Sequence, residues 1–151
     1  MSARTADTAD EQALAEACAE TLFADDRASR GLGMVIESVA PGHAVLRMSV
    51  REDMSNGHGI CHGGFIFTLA DSAFAFACNT HNRVTVAQAA KIDFLRPARQ
   101  GETLRADARE ISRGGRSGLY DVEVRREDGE LIAVFRGNSH SSDKPLVEDL
   151  S

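Results

Sequence analysis

The segment 64–78 constrains the fold of this chain more than any other part of it, and it reads GFIFTLADSAFAFAC. Its residues are apolar on almost every side of a helix, so the segment predicts a helix that is buried all round. Such a helix cannot lie on the outer face of a sheet. Either a sheet wraps around it or a second subunit covers it.

The rest of the chain predicts one more helix and six strands. Residues 9–23 are rich in alanine, glutamate and leucine and predict an N-terminal helix. Alternation of apolar and polar residues between turn residues predicts strands at 34–39, 44–50, 84–94, 103–111, 120–125 and 131–140. Consecutive strands joined by short turns should pair antiparallel. The predicted class is therefore α+β, with an antiparallel sheet around a long central helix.

The length of 151 residues suits one compact domain. We divide it into an acidic N-terminal helical segment (1–30), a main domain (31–142) and a frayed C-terminal tail (143–151). The net charge of −6 argues against a general nucleic-acid binder. The polar and acidic residues 1–12 do not predict a signal peptide, no run of about 18 apolar residues predicts a membrane span, and the three cysteines form no CxxC pair. We therefore expect a cytoplasmic protein with free thiols and no membrane partner.

Asp71 is the only formally charged residue, histidines aside, between residues 53 and 83, and it lies within the apolar helix. Burial of an unpaired carboxylate is costly and shifts its pKa. A structural acid held by hydrogen bonds is one interpretation. The other follows from helical spacing, which puts the polar residues on one stripe: Gly64, Thr68, Asp71 and Ser72. A stripe that faces a cleft would present the carboxylate to a ligand.

Gly63 and Gly64 stand at the predicted start of this helix. Free N–H groups and the helix dipole favour an anion there, and glycine lets a substrate approach the backbone closely. An oxyanion hole has these properties. The alternative is a tight turn that leads from a loop into the helix.

The histidines and the cysteine before the helix offer two other chemistries. His58, Cys61 and His62 could bind a metal together with Asp71, but their spacing fits no strong zinc pattern, so no metal is predicted. Cys61 beside His62 could form a nucleophile with its base. Sequence neighbours usually do not face each other, however, and the nucleophile-elbow pattern is absent.

A series of motifs runs in order between Leu32 and His140: Asn56-Gly57-His58, Cys61-His62-Gly63-Gly64, Leu69-Ala70-Asp71, Ile92-Asp93-Phe94-Leu95-Arg96-Pro97, Gly101-Glu102-Thr103-Leu104, Tyr120-Asp121 and Phe135-Arg136-Gly137. Together they closely resemble the hotdog-fold acyl-CoA thioesterases. The branch that they resemble most is the PaaI-type (hydroxyphenylacetyl-CoA thioesterase) family of phenylacetic acid degradation.

The resemblance implies a hotdog fold, in which the sheet wraps around the long helix. It also implies hydrolysis of a (hydroxy)phenylacetyl-CoA or related aryl or short acyl-CoA thioester to the free acid and CoA. Asp71 would attack the carbonyl or activate water, and the N–H of Gly63 would polarise that carbonyl. Asn56 and His62 would orient substrate or water. The residues expected to contact the substrate are Gly64, Phe67, Thr68 and Phe74.

Coenzyme A would enter as part of the substrate, and no other cofactor is expected. Its phosphates need positive charge, and residues 96–126 hold eight arginines against five acids. Arg96, Arg113 and Arg116 stand beside glycine or proline turns and are the predicted phosphate ligands.

Gly63 and Asp71 are eight residues apart, which is roughly 12 Å along one straight helix. Both groups must approach the same carbonyl, so one chain can hardly supply both. We therefore expect a homodimer with shared sites, Gly63 from one helix and Asp71 from its antiparallel partner. A dimer of dimers, that is a homotetramer, is the further expectation.

Two other functions stay open at this point. A hotdog dehydratase or hydratase would need a histidine base working with a carboxylate, and His62 could serve as that base. A non-catalytic acyl-CoA sensor would bind the thioester without cleaving it. Release of free CoA from an acyl-CoA separates hydrolysis from both.

Overall fold

The computed structural model describes residues 2–148. Its helices are α1 (Ser2–Asp25), α2 (Arg27–Gly31) and α3 (Gly63–Cys78), with a single 3₁₀ turn at Glu52–Met54. Its strands are β1 (Val35–Ala40), β2 (His43–Ser49), β3 (Thr85–Phe94), β4 (Thr103–Gly114), β5 (Ser117–Arg126) and β6 (Leu131–Ser141). The two predicted helices and six predicted strands are confirmed, although α1 starts before the predicted segment. The short elements α2 and the 3₁₀ turn were not predicted.

The strands form one antiparallel sheet in the order β1-β2-β4-β5-β6-β3. The pairing of consecutive strands is confirmed for β1–β2, β4–β5 and β5–β6, but it is wrong for β3, which pairs with β6 rather than with β4. The connection between β3 and β4, residues 95–102, instead crosses the end of the sheet. The N–H of Leu95 donates to the carbonyl of Ile132, and the N–H of Gly101 donates to the carbonyl of Val50. This crossing leaves β3 as an edge strand.

Three of the strand turns contain a glycine with a positive φ: Gly42 at 70°, Gly115 at 60° and Gly129 at 90°. Glycine adopts this conformation without steric cost, which is why turn signals in the sequence locate these hairpins correctly.

The core lies between α3 and one face of the sheet, and α3 packs against all six strands. Alternate residues of β4 and β5 point towards the helix and are fully buried: Leu104, Ala106, Ala108, Tyr120, Val122 and Val124. The small alanines of β4 let the helix approach the sheet closely. The sheet therefore wraps around α3 as its all-round apolar character predicts, and the α+β hotdog arrangement is confirmed.

The N-terminal helix α1 and the C-terminal tail both contact Asn82, which follows the C-terminal end of α3. Cys18 of α1 donates to the side chain of Asn82 at 3.7 Å. The C-terminal tail was predicted to be frayed, but the Asn82 side chain accepts the N–H groups of Leu146 and Val147, both at 2.9 Å. Residues 149–151 of the predicted tail lie outside the described residues. No helix in the described part of the chain is long and apolar enough to cross a membrane.

Candidate active site

The loop that leads into α3 is held by its own polar groups. The Oδ1 atom of Asn56 accepts the N–H of His58 at 2.9 Å and that of Ile60 at 3.3 Å. The loop is closed at its base by a bridge between Ser55 and Cys61. Asn56 is thus a residue that shapes the loop, and its Nδ2 group is the part of the side chain left to donate elsewhere.

His62 is the N-cap of α3 and satisfies two of the first N–H groups of the helix. Its Nδ1 accepts the N–H of Gly64 at 2.9 Å, and its carbonyl accepts the N–H of Phe65 at 3.0 Å. The N–H of Gly63 has no acceptor among the described residues. A helix start with one free N–H in a defined position has the geometry of an oxyanion donor.

Gly63 borders an apolar cavity of about 470 Å³. The cavity is formed by the loop, the first turn of α3 and the end of β3, and its lining residues are Asn56, Ile60, Cys61, Gly63, Ile66, Phe94, Leu95, Arg96 and Pro97. The ring of Phe94 lies so close that a Cβ at Gly63 would be 2.9 Å from its Cζ atom. Any side chain at this position would have to displace the tip of the ring.

Asp71 lies two turns further along α3 and is half-buried. Within the described residues its carboxylate has no hydrogen bond or ion pair, and burial raises its pKa above the usual value for aspartate. The interpretation as a structural acid held by hydrogen bonds therefore finds no partner within the described chain.

The predicted polar stripe on α3 is only partly correct. Gly64 is exposed, and Thr68 is half-buried with its hydroxyl donating to the Gly64 carbonyl at 2.8 Å. Ser72 is buried instead, and its hydroxyl lies 2.7 Å from that of Ser29 in α2. Ser72 therefore anchors α3 to α2. The accessible part of the stripe consists of Gly64, Thr68 and Asp71.

The phenylalanines of α3 lie elsewhere than predicted. Phe74, expected to contact the substrate, is 1% exposed and packs against the rings of Tyr120 and Phe135 at 5.5 and 5.8 Å. Phe67 is half-buried, and its ring contacts that of Phe135 at 5.4 Å. Neither ring lines the cavity beside Gly63, so the assignment of Phe74 to the substrate site is wrong.

The apolar residues that do line the cavity were missed as site residues. Three of them, Phe94, Leu95 and Pro97, belong to the motif at residues 92–97, whose resemblance to the thioesterases did not predict that it lines a cavity. The available signal is two large apolar residues in a row at a strand end, with a proline two residues further on. Ile60 and Ile66 complete the wall from the loop and the helix.

The three predicted phosphate ligands are separated by the structure. Arg96 lines the cavity, with its Nε 3.0 Å from Glu130. Arg113 and Arg116 lie near the β4–β5 turn, at the end of β4 away from the 95–102 connection that holds Arg96. Arg113 lies 3.6 Å from the carboxylate of Glu110, and Arg116 lies 2.7 Å from that of Asp143. Only Arg96 is next to Gly63 of the same chain.

The cysteine before α3 is not paired with a base. The Sγ atom of Cys61 donates to the carbonyl of His62 at 3.6 Å rather than to its ring, and burial raises the pKa of the thiol. The described residues contain no group of three or more His, Cys, Asp or Glu side chains arranged to hold a metal ion. The two alternative chemistries of this loop therefore have no geometric support.

Comparison with known proteins shows what this site is similar to. Residues 58–133, which include Gly63 and Asp71, match the model of the Thioesterase superfamily. The chain is 44% identical over 122 residues to the acyl-coenzyme A thioesterase PaaI of Escherichia coli K12, covering 81% of this chain and 87% of that protein.

Solved structures give the same relationship. The structure of E. coli PaaI from the phenylacetic acid degradation operon superposes with a TM-score of 0.87 at 41% identity, covering 89% of this chain and 97% of that one. A Streptococcus mutans protein solved with bound acetyl-CoA has a TM-score of 0.72 at 25% identity, covering 74% and 90%. The similarity extends over the whole fold and over the helix that carries both candidate catalytic groups.

Proposed function

Because the chain belongs to the thioesterase superfamily and has the hotdog fold, we propose that it hydrolyses aryl acyl-CoA thioesters in phenylacetic acid degradation, with phenylacetyl-CoA and its hydroxylated forms as preferred substrates. The observation that carries the proposal is the free N–H of Gly63 beside an apolar cavity, on the same helix as an unpartnered carboxylate.

The reaction follows from the chemistry of these groups. The N–H of Gly63 donates to the thioester carbonyl oxygen and stabilises the negative charge that develops there. Asp71 either attacks the carbonyl carbon, in which case water then hydrolyses the acyl–aspartyl anhydride, or takes a proton from the attacking water. The C–S bond breaks, the CoA thiolate leaves and is protonated, and the oxygen of water ends in the carboxylic acid. Asn56 and His62 position the loop and the Gly63 N–H.

The alternatives are not favoured. A dehydratase or hydratase needs a free histidine base, but Nδ1 of His62 already accepts the N–H of Gly64. A sensor has no need for an unpaired carboxylate, whose burial is unfavourable and which the proposed reaction uses directly.

The test is release of free thiol from acyl-CoA substrates. Phenylacetyl-CoA and hydroxyphenylacetyl-CoA should give higher kcat/KM than palmitoyl-CoA, and the activity should be the same before and after treatment with EDTA. A preference for palmitoyl-CoA would overturn the substrate assignment. Loss of activity with EDTA that a divalent ion restores would overturn the cofactor-free mechanism.

The proposed active unit is a homodimer in which the two helices α3 run antiparallel. The edge strand β3 is exposed along most of its length, with Val86 at 60% and with Ala87 and Ala89 also exposed. An apolar edge strand is a template for pairing with a second strand. Pairing of β3 with β3 of a second copy would continue the sheet and bring Gly63 of one chain towards Asp71 of the other. A dimer of dimers would complete the assembly.

Two inactive variants test the shared site. Asp71→Asn removes the base, and Gly63→Pro removes the N–H. Proline is tolerated at the first residue of a helix, and His62 before it has φ −60° and ψ 131°, which suit a residue preceding proline. The atom in the way is the tip of the exposed Phe94 ring, which can turn outwards.

A mixed dimer of the two variants contains one site with both defects and one site with neither. Isolated mixed dimers should therefore recover activity that each variant lacks alone. Inactive but folded mixed dimers would show that both groups act within one chain. We place the enzyme in the cytoplasm, in keeping with its three free cysteines, Cys18, Cys61 and Cys78.

A further inference from the structure

We infer that the cavity between the 56–60 loop and the end of β3 holds the acyl group of the substrate, and that Phe94 selects aryl over alkyl acyl groups by contact with its free ring face. This inference rests on the proposed thioesterase function and adds a specificity residue to it.

The position of Phe94 relative to Gly63 carries the first step. The Cζ and Cε1 atoms of Phe94 lie 2.9 and 3.2 Å from where a Cβ of Gly63 would be. A carbonyl oxygen bound to the Gly63 N–H is therefore next to this ring. Because the acyl substituent is one bond from that carbonyl carbon, a substituent that enters the cavity passes the ring or lies against it.

The chemistry of the cavity favours an uncharged, apolar occupant. Its walls are Ile60, Ile66, Leu95 and Pro97, and its two nitrogen-bearing side chains offer no free acceptor to an amide N–H. Asn56 accepts two loop N–H groups, and the Arg96 guanidinium donates to Glu130 at 3.0 Å and to the Leu95 carbonyl at 3.0 Å. The amides of the pantetheine arm would lack partners against these apolar walls, whereas a hydrocarbon ring needs none.

The ring of Phe94 differs from the other six phenylalanine rings of the chain. Among the described residues, each of the others contacts an aromatic ring of a second residue, in the pairs Phe23–Phe76, His62–Phe65, Phe67–Phe135 and Phe74–Phe135. Phe94 has no such contact and is 53% exposed. Aromatic rings gain from edge-to-face or offset contact with another ring. An aryl acyl group would provide the contact that the chain does not.

The test compares two substrates on a conservative variant. Phe94→Leu keeps an apolar side chain but removes the ring. It should lower kcat/KM for phenylacetyl-CoA by about 3- to 10-fold and that for hexanoyl-CoA by less than about 2-fold. Phe94→Tyr keeps the ring and should retain the wild-type ratio between the two substrates. The matched control is Ile111→Val on β4, because Ile111 is exposed to the same extent, 54%, and lies away from the cavity.

A third measurement separates the acyl group from the rest of the substrate. Free CoA lacks the acyl group, so it should inhibit the wild type and Phe94→Leu equally, whereas phenylacetate should inhibit the variant less. Equal losses of kcat/KM for both substrates, or weaker inhibition by CoA, would show that Phe94 contacts the pantetheine arm or a second subunit, and the inference would be wrong while the thioesterase function stands. Absence of thiol release by the wild type from either substrate would overturn the proposed function itself.

Discussion

Replacement of Asp71 by asparagine should abolish turnover and stabilise the protein at the same time. The carboxylate is half-buried and has no hydrogen bond or ion pair within the described residues, and burial raises its pKa. An unpaired carboxylate in such an environment lowers the free energy of unfolding. Catalytic carboxylates in water-poor sites carry this cost. Asparagine keeps the shape of the side chain but can neither attack a carbonyl nor accept a proton.

The two effects have separate magnitudes. Loss of a general base or nucleophile should lower kcat/KM by at least about 100-fold. Removal of the charge from a half-buried site without partners should increase the free energy of unfolding by about 1 kcal/mol. For a chain of this size, such a change raises the melting temperature by about 2–4 °C.

The stability gain should depend on pH with a definite sign. Since folding raises the pKa of Asp71, the folded protein binds this proton more tightly than the unfolded chain does. The charged form therefore destabilises the fold as pH rises through the raised pKa. The difference in melting temperature between the variant and the wild type should be largest at neutral pH and should shrink below about pH 4.

The measurements are thiol release from phenylacetyl-CoA and thermal unfolding followed by circular dichroism at several pH values. Asp53→Asn is the control, because Asp53 is an exposed acid that pairs with Arg51 at 3.0 Å. It should leave activity unchanged. If Asp71→Asn keeps more than about a tenth of the wild-type kcat/KM, the catalytic assignment is wrong. A variant less stable than the wild type at neutral pH would mean that the carboxylate has a favourable partner.

Three further changes probe the surroundings of the site. Phe74→Ala should lower the free energy of unfolding by about 3–5 kcal/mol in urea titrations while the KM of the folded fraction stays unchanged; a raised KM would return Phe74 to the substrate site. Ser72→Ala should lower the free energy of unfolding by about 1 kcal/mol and leave kcat within about 2-fold, because its hydroxyl bonds α2 rather than the substrate; a large drop in kcat would contradict this. Burial alone would raise the pKa of Glu110, but hydrogen bonds from His81 and Tyr120 lower it. The advantage of the wild type over Glu110→Gln in unfolding free energy should therefore be present at pH 7 and fade as pH falls below about 4; an advantage that is independent of pH would refute the role of its charge.

The elements of this fold could be predicted because their signals are local. Glycine turns at residues 42, 115 and 129 and period-two alternation on β4 and β5 locate the hairpins without knowledge of the rest of the chain. The pairing of β3 with β6 could not be predicted in this way. It depends on contacts between residues about 40 positions apart, such as Phe94 with Ala133, and no short turn reports them.

The faces of α3 show a second limit. A helix that is apolar on every side gives no hydrophobic periodicity to tell which face meets the sheet. The sequence therefore could not show which face Phe67 and Phe74 occupy, and both rings pack against rings of the sheet. The polar residues of α3 correctly predict an accessible face at Asp71. The same prediction is wrong for Ser72, because its partner Ser29 belongs to a short helix without a sequence signal.

The two glycines at the start of α3 have different surroundings, and each fits one of the two interpretations of that pair. A Cβ at Gly64 would lie 3.1 Å from Nδ1 of His62, the atom that accepts its N–H, so Gly64 belongs to the tight capping turn. A Cβ at Gly63 would meet the ring of Phe94 instead, and the Gly63 N–H remains free. The cap occupies the second N–H, which leaves the first as the single donor for a substrate carbonyl. The turn therefore leaves Gly63 as the residue that fits the proposed oxyanion donor, whereas the N–H of Gly64 is already bonded to His62.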